Sequence, residues 1–395
     1  MDNRSITETV KSSSVGRFVL GDALNVMEGL ASTYTGRIQL VYLDPPVVSN
    51  ATHCIRSRSS WKSAPYEVYD DFSTVDDYKL YLSSVLRLCK ELLSPSGALY
   101  LHTTPALSSV ARQLLDAVFG SKCFVNELIW TYRLNGRSTR RFASRHDTIL
   151  LYGASKEYYM NLPAAGTTRG IARRNHMKRS IDADGRIYFS VRTRGKEYRY
   201  YEDSLILPGD VWDDIDNITS KHPEHTGYPS QRPAELLKRM VLASTNANDI
   251  VLDAFSGSGT LAVTADSIGR RWICADTSPA AAFTLKRRLL QRDMPIYETS
   301  HSAEFHTNTA MLDAAKLSFE VTQRGEQTSV KIDAASSAVP LIFAEYGELA
   351  GDRFLPYSYA ERKGDHISIP LINTAAVPCI QLTTTAFKQY YVTLK

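Results

Sequence analysis

Over residues 15–295, short apolar segments alternate with longer segments in which apolar residues recur at helical spacing. The short segments are bounded by Gly, Pro or charged residues, as buried β-strands are. They are residues 37–44, 97–103, 147–152, 249–255 and 271–276. Helical periodicity occupies residues 75–93, 230–244 and 278–291, with Ser230 and Ser278 as predicted N-caps. This alternation predicts an α/β fold whose mostly parallel sheet is covered by helices on both faces.

Beyond residue 295 the pattern changes to alternation of apolar and polar residues. Residues 316–335 have the pattern of a β-hairpin that turns at residues 324–326, and several later segments resemble short strands. The sequence therefore predicts a small β-rich C-terminal domain at residues 296–395.

Composition limits the class of protein. The chain has 395 residues and 43% hydrophobic content, enough for two or three domains with buried cores. Residues 1–14 form a polar tail, and no run approaches the roughly 18 apolar residues of a membrane helix. The five cysteines are scattered and form neither a zinc pattern nor a disulfide framework. We therefore expect a cytoplasmic protein without a bound metal.

Charge is concentrated in one segment. Residues 133–201 contain 16 Lys and Arg against 5 Asp and Glu, or +11, whereas the whole chain carries +4 and the remainder therefore −7. Tyrosine and phenylalanine lie among these arginines, and this mixture suits phosphates and stacked bases. A solvated basic surface is the alternative to a nucleic-acid interface. The side chains expected to contact nucleic acid are Arg137, Arg140, Arg141, Arg173, Arg174, Lys178, Arg179, Arg192 and Arg194.

The stretch "DIVLDAFSGSGTLA" predicts a nucleoside site. A strand leads into a turn with Gly257 and Gly259, where the backbone can approach a ligand closely, and a helix follows. Asp276 ends the next strand, where a carboxylate can bind ribose hydroxyls. Because these glycines and Ala262 also match a GxGxxA fingerprint, a nicotinamide-linked oxidoreductase remains an alternative, as does a purely structural turn.

Four motifs in a defined order resemble those of a known family. They are "RFVLGDALNVMEGL", "LDPP" in the stretch "VYLDPPVVSN", "HTGYPSQRPAELL" and "DAFSGSGT". The catalytic DPP precedes the FxGxG motif, and the basic segment lies between them. This arrangement resembles the β group of amino-directed DNA methyltransferases, which modify adenine N6 or cytosine N4 with S-adenosylmethionine. The resemblance covers about residues 15–295.

The resemblance implies a Rossmann-like methyltransferase fold with an inserted target recognition region. Residues 15–155 would form the catalytic half, 156–220 the recognition region and 221–295 the cofactor half. The implied reaction methylates an exocyclic amine of a flipped-out base in double-stranded DNA, most often adenine N6. Implied partners are a cognate restriction endonuclease and either a second copy of the chain or a methyltransferase-like subunit. For the C-terminal domain, DNA recognition, self-association, partner docking and simple packing stay open.

The family pattern also assigns roles to residues. The expected cofactor-binding residues are Asp22, Ala23, Thr226, Ser230, Gln231, Asp253, Phe255, Gly257, Gly259, Thr260 and Asp276. The expected catalytic residues are Asp44, Pro45, Pro46 and Val47. In the "T-x-K-P" type element, Tyr228 stands where lysine is usual. The Asp44 carboxylate would accept one N–H of the target amine and a backbone carbonyl near Pro45 the other, so that no covalent cysteine is needed.

Val47 departs from the family, in which an aromatic residue follows the second proline and stacks on the target base. Base–aromatic stacking contributes about 1–3 kcal/mol, so its loss would weaken the flipped state. Another ring, from Trp61, Tyr66 or Tyr69, could replace it. Alternatively, the chain is a degenerate methyltransferase-like subunit that binds DNA, cofactor or an active partner.

Overall fold

The computed structural model describes most of the chain up to residue 290 and separate strands beyond it. The described residues are 16–55, 66–133, 139–168, 177–290, 297–301, 319–324, 327–333, 341–350, 353–361, 366–371, 378–384 and 389–393.

Helices and strands alternate through the first part of the described chain. The α-helices are α1 (Ala23–Tyr34), α2 (Val75–Leu92), α3 (Ser108–Phe119), α4 (Ala234–Ser244), α5 (Thr260–Ser267) and α6 (Pro279–Leu290), and short 3-10 helices lie at Ser121–Cys123 and Leu162–Ala165. The strands before residue 156 are β1 (Gly16–Leu20), β2 (Ile38–Leu43), β3 (Thr52–Ile55), β4 (Tyr66–Asp70), β5 (Leu93–Thr103), β6 (Phe124–Thr131) and β7 (His146–Gly153). They are followed by β8 (Thr167–Thr168), β9 (Lys178–Ile181), β10 (Ile187–Thr193), β11 (Lys196–Tyr201), β12 (Leu205–Ile206), β13 (Val211–Trp212), β14 (Ile250–Asp253), β15 (Arg271–Asp276) and β16 (Tyr297–His301). The C-terminal strands are β17 (Phe319–Arg324), β18 (Gln327–Asp333), β19 (Leu341–Ala350), β20 (Arg353–Glu361), β21 (His366–Leu371), β22 (Pro378–Thr384) and β23 (Gln389–Thr393).

One large sheet organises the molecule, with the strand order β13-β6-β7-β5-β2-β14-β15-β1-β16-β20-β19-β22-β23. The strands from β5 to β16 in this order run parallel, whereas β7 is antiparallel to both of its neighbours, β5 and β6. All five strands predicted from apolar runs are in this sheet. The predicted α/β fold with a mostly parallel core is therefore confirmed.

Successive side chains of β2 enter different cores. Leu40 and Tyr42 pack in a cluster that contains residues of α4, α5 and α6, whereas Val41 and Leu43 pack with residues of α1, α2 and α3. Because neighbouring side chains of a strand point to opposite faces, helices must cover both faces of the sheet. The expected three-layer arrangement follows from this burial on both sides.

The predicted cap at Ser230 is wrong. Helix α4 begins at Ala234, whose N–H is accepted by Glu224 Oε2 at 3.0 Å. Ser230 has a φ of +55°, which differs from the extended backbone of an N-cap residue. Helix α6 does begin at Pro279, directly after Ser278, as predicted.

Two β-rich parts lie outside the parallel core. Strands β9, β10 and β11 form an antiparallel meander within the basic segment. Strands β17 and β18 pair as the predicted hairpin, and β20 joins the main sheet beside β16. In the described part of the chain, no helix is long and apolar enough to cross a membrane.

Candidate active site

Acidic residues lie at the carboxyl ends of four neighbouring parallel strands. Asp22 and Asp44 follow β1 and β2, and Asp253 and Asp276 end β14 and β15. Since parallel strands end at one edge of the sheet, these carboxylates line one cavity of about 590 Å³. The predicted site residues in its wall are Asp22, Ala23, Asp44, Pro45, Pro46, Val47, Ser230, Gln231, Asp253, Phe255, Gly257, Thr260 and Asp276.

Two predicted cofactor residues do not line this cavity. Thr226 donates its N–H and hydroxyl to Gln231 Oε1, at 2.9 and 2.7 Å, and so orients a residue that does line it. Gly259 has a left-handed φ of +73°, and a Cβ placed there would lie 2.5 Å from Leu285 Cδ1. Both therefore shape the site from behind rather than contacting its contents.

The carboxylate of Asp276 is held at the glycine turn. It accepts the N–H groups of Gly257 and Ser278, each at 2.8 Å. Burial nevertheless raises the pKa of Asp276 to about 6, because these hydrogen bonds offset only part of the desolvation. This carboxylate therefore changes charge close to neutral pH.

Another part of the cavity wall contains Asp22 and a group of rings. Asp22 caps α1 by accepting the N–H of Leu24 at 2.9 Å, and it accepts the Tyr81 hydroxyl at 2.7 Å. The Tyr81 ring centre lies 6.3 Å from that of Phe255 and 5.6 Å from that of Phe72. The cavity therefore offers an apolar, aromatic wall beside a fixed carboxylate.

Asp44 is bound by an arginine fork. Arg232 Nε donates to Asp44 Oδ2 at 2.7 Å and Arg232 Nη2 donates to Oδ1 at 3.1 Å. Burial acts to raise the pKa of Asp44, but the Arg232 guanidinium holds it below its usual value. Asp44 is therefore ionised and oriented.

The arginine joins Asp44 to a second carboxylate. Arg232 Nη1 donates to Asp147 Oδ2 at 2.9 Å, and the His102 Nε2 atom lies 3.0 Å from the same oxygen. His102 Nδ1 lies 2.9 Å from the Tyr42 hydroxyl, so a proton on Nε2 satisfies both contacts of this ring. Burial opposes ionisation of Asp147, yet His102 and Arg232 lower its pKa to about 2.

The segment after Pro46 is fixed by Asp71. Asp71 Oδ1 accepts the Val47 N–H at 3.1 Å, and Asp71 Oδ2 lies 3.0 Å from His53 Nε2. Phe72 donates its N–H to the Val47 carbonyl at 2.8 Å. The valine thus occupies a well-ordered position in the cavity wall, but it presents no ring.

A ring lies nearby on the hairpin of β3 and β4. Tyr69 lines the cavity, stacks on His53 at 4.4 Å between ring centres, and donates its hydroxyl to Ser230 Oγ at 3.1 Å. Tyr66 lies on the same strand but does not line the cavity, and Trp61 lies outside the described residues.

The basic segment is partly described. Lys178 and Arg179 are exposed on β9, and Arg192 is exposed on β10. Arg194 and Gly195 have φ values of +49° and +78° and form a two-residue hairpin turn, which places Arg194 at its tip. Arg140 and Arg141 are exposed ahead of β7, whereas Arg137, Arg173 and Arg174 lie outside the described residues.

Residues 38–286 match a family model described as DNA methylase, whose members are N6- and N4-directed enzymes. The motifs and the cavity described above lie within or beside this range. The chain belongs to this DNA methylase family. The chain is 27% identical to the type II methyltransferase M.EcaI of Enterobacter cloacae over 64% of the chain and 64% of that protein. It is 30% identical to the type II methyltransferase M.BglII of Bacillus subtilis over 54% of the chain and 58% of that protein. The matches thus span less than two thirds of either relative's length.

A third relative is the DNA adenine methyltransferase YhdJ of Escherichia coli (strain K12), which is 25% identical over 64% of the chain and 75% of that protein. Among solved structures, the PvuII DNA methyltransferase (cytosine-N4-specific) aligns with a TM-score of 0.47 at 16% identity, over 70% of this chain and 87% of that one.

Three members of the Asp44 network were missed in the sequence: Arg232, Asp147 and His102. Arg232 rather than Tyr228 is the residue of the "TGYPSQRP" element that contacts Asp44. Tyr228 is instead buried, with its ring 3.2 Å from the position of a Cβ on Gly257. A signal was present for Asp147 and Arg232, because each stands at the end of a buried strand or inside a motif of the site, and a charge that is buried there needs a partner.

Proposed function

We propose that the protein transfers a methyl group from S-adenosylmethionine to an exocyclic amine of a base in double-stranded DNA. One observation carries this proposal. The glycine turn with Asp276 and the Asp44-Pro45-Pro46 segment line the same cavity, so a nucleoside cofactor and a target base would meet there. Membership of the DNA methylase family supports the reaction class.

The cavity fits this cofactor in chemistry. Asp276 would accept ribose hydroxyls, Asp22 would bind at the adenine end, and Phe255 and Gly257 would hold the methionine part. Bound S-adenosylmethionine supplies a methyl group on a positively charged sulfonium. Among the described residues, the cavity wall contains more carboxylates than basic groups, which favours a cationic ligand.

Asp44 provides the acceptor that the target amine needs. The lone pair of an exocyclic amine is conjugated with its ring, so the nitrogen becomes a better nucleophile when its N–H groups bind to acceptors. Asp44 Oδ would accept one N–H and a backbone carbonyl near Pro45 the other. The two prolines fix the backbone that carries both acceptors. A stacked base cannot reach these atoms, so the base must be flipped out of the duplex.

We infer that Tyr69 replaces the ring that Val47 lacks. The hydrogen bond to Ser230 and the stack on His53 hold Tyr69 in the cavity wall that also contains Asp44. A ring held in this way costs little additional entropy when a base stacks on it. The protein is then an active enzyme despite its DPPV motif.

The basic segment, and residues 156–220 in particular, would bind the DNA duplex. Lys178, Arg179, Arg192 and Arg194 are exposed on one small sheet, where their charges can contact phosphates. Adenine N6 is our preferred target, which the similarity to an adenine methyltransferase supports. The type II names of two relatives support a restriction–modification role, with a cognate endonuclease as partner.

The product identifies both the activity and the base. We would incubate the protein with S-adenosylmethionine and unmethylated genomic DNA, digest the DNA to nucleosides and measure them by mass spectrometry. The expected product is N6-methyladenine. N4-methylcytosine would correct the base only. Cofactor and DNA binding without any methylated nucleoside would instead support the degenerate-subunit alternative.

A further inference from the structure

The carboxylates of Asp44 and Asp253 lie on neighbouring strands and have opposite pKa shifts. Asp253 is 3% exposed and accepts the N–H of Phe255 at 3.0 Å, and burial raises its pKa well above the usual value. Asp44 is also desolvated, but its pKa is lowered. The two carboxylates differ in their contacts. Asp44 is bound by the Arg232 fork, whereas no arginine is hydrogen-bonded to Asp253 within the described residues.

Arg232 is itself fixed at several points. Its third guanidinium nitrogen is bound by Asp147, and its carbonyl oxygen accepts the Thr260 hydroxyl at 3.2 Å. Thr260 is the first residue of α5, directly after the glycine turn. The guanidinium also lies 5.8 Å from the Trp130 ring centre. A side chain bound in this way can hold Asp44 in one rotamer, because moving it would break contacts on three sides.

The fork leaves one Asp44 oxygen available. Oδ2 receives Arg232 Nε at 2.7 Å, and the Tyr42 hydroxyl oxygen, whose proton is directed to His102 Nδ1, lies 3.5 Å from Oδ2 and obstructs its second side. Oδ1 receives only Arg232 Nη2, at 3.1 Å, among the hydrogen bonds of the described residues. A carboxylate oxygen has two lone pairs, so Oδ1 can accept one more hydrogen bond.

We propose that Arg232 is a positioning residue for methyl transfer, which holds Asp44 as an ionised acceptor and leaves Oδ1 to accept the N–H of the target amine. The inference rests on the proposed function. Asp147 and His102 act through Arg232, because they keep its guanidinium beside Asp44. The role requires a planar fork, since an ammonium group is a single charge and cannot bind both carboxylate oxygens in the same geometry.

Several charged or titratable groups surround Asp44, and Arg232, His102 and Asp147 among them act on its pKa. The surrounding groups are Tyr42 on β2, Asp253 on β14, His102 on β5, Asp147 on β7, Tyr69 on β4, Tyr78 on α2 and Arg232 before α4. Of these, Arg232 lowers the pKa of Asp44 most strongly. Its removal should therefore shift the acid limb of the rate profile to higher pH, by about 1–3 pH units for loss of a close opposite charge.

The test compares Arg232→Gln and Arg232→Lys with Arg239→Gln as a matched control. Arg239 makes a similar fork, to Asp214 at 2.9 and 2.6 Å, but it does not line the cavity. We would measure kcat, KM for DNA and the pH profile of kcat/KM at saturating S-adenosylmethionine, so that the acid limb does not report cofactor binding through Asp276. The cofactor Kd would be measured separately, with folding checked by circular dichroism.

For Arg232→Gln we expect kcat to fall by about 100-fold, as for loss of a positioned catalytic group, with the cofactor Kd within about 3-fold of wild type and the acid limb shifted upward. Arg232→Lys should retain charge and show a smaller pH shift but still a reduced kcat. Arg239→Gln should leave the pH profile unchanged. If Arg232→Gln does not fold, Arg232→Lys provides the test. A reduced kcat at unchanged cofactor Kd would support the positioning role of Arg232, and a wild-type kcat would overturn it.

Two failures are distinguishable. An active wild type whose Arg232 variants keep the wild-type acid limb and kcat would overturn the positioning role and leave the proposed function intact. A folded wild type that binds cofactor and DNA but transfers no methyl group would overturn the proposed function and the positioning role together.

Discussion

Cofactor affinity should fall in mildly acidic solution because of Asp276. Burial raises the pKa of this carboxylate to about 6 in the free protein. The ionised form, present above pH 6, accepts ribose hydroxyls through both oxygens, and protonation removes part of that acceptor capacity. Affinity for S-adenosylmethionine is therefore highest above pH 6 and decreases as the pH falls through that value.

The magnitude follows from proton linkage. With a pKa of about 6, nearly all molecules are ionised at pH 7.5, whereas about one in eleven is ionised at pH 5. If ribose binding returns the carboxylate to its usual range, the Kd should rise by about 10-fold between these two pH values. Asp44 has a lowered pKa and stays ionised over the same interval.

Isothermal titration calorimetry at pH 7.5, 6.5, 5.5 and 5 would measure this dependence, with circular dichroism to confirm folding at each pH. Asp276→Asn should bind more weakly at pH 7.5 and lose the pH dependence. Asp22→Asn, which alters the opposite end of the site, should bind more weakly but keep the slope. A wild-type Kd that is constant over this range, or an equal slope in Asp276→Asn, would refute the reasoning.

Three further predictions concern the base, the turn and the DNA surface. Tyr69→Leu should lower kcat/KM by about 5-fold to 150-fold, because the target base would lose its stacking partner. Adding Val47→Phe should recover part of that loss. An unchanged kcat/KM for Tyr69→Leu would show that the base does not stack on this ring. Gly259→Ala should reduce the free energy of unfolding by about 2–5 kcal/mol, because the added Cβ would have a left-handed φ and would lie too close to Leu285. An unchanged midpoint of urea denaturation would contradict this prediction. Lys178→Gln should make the slope of log K against log salt less steep by about 0.9, measured by fluorescence anisotropy, and an unchanged slope would remove this residue from the DNA surface.

The sequence was sufficient to predict the parallel core. Buried strands of a parallel sheet are continuous apolar runs, so residues 37–44, 249–255 and 271–276 were recognisable without structure. The carboxyl ends of parallel strands share one edge of the sheet, which agrees with the common site of Asp44 and Asp276 that the resemblance to amino-directed DNA methyltransferases implied.

Strand direction and long-range pairing were not predictable in the same way. Asp147 begins a strand, so in a parallel sheet it would lie at the opposite edge from Asp44. Because β7 runs antiparallel, its start lies instead beside the end of β5, the strand next to β2, and Asp147 joins the site. Arg232 is 188 residues from Asp44 in sequence, and apolar periodicity contains no information on such a contact.

The central claim is tested most directly by transfer of a radiolabelled methyl group from S-adenosylmethionine to unmethylated DNA, with wild type and Asp44→Asn compared and cofactor binding measured on the same samples. We predict incorporation by the wild type and its loss in Asp44→Asn, while both proteins bind the cofactor. Equal incorporation by the two proteins, or none by a folded wild type that binds cofactor and DNA, would contradict the assignment of Asp44 as the acceptor in an active methyltransferase.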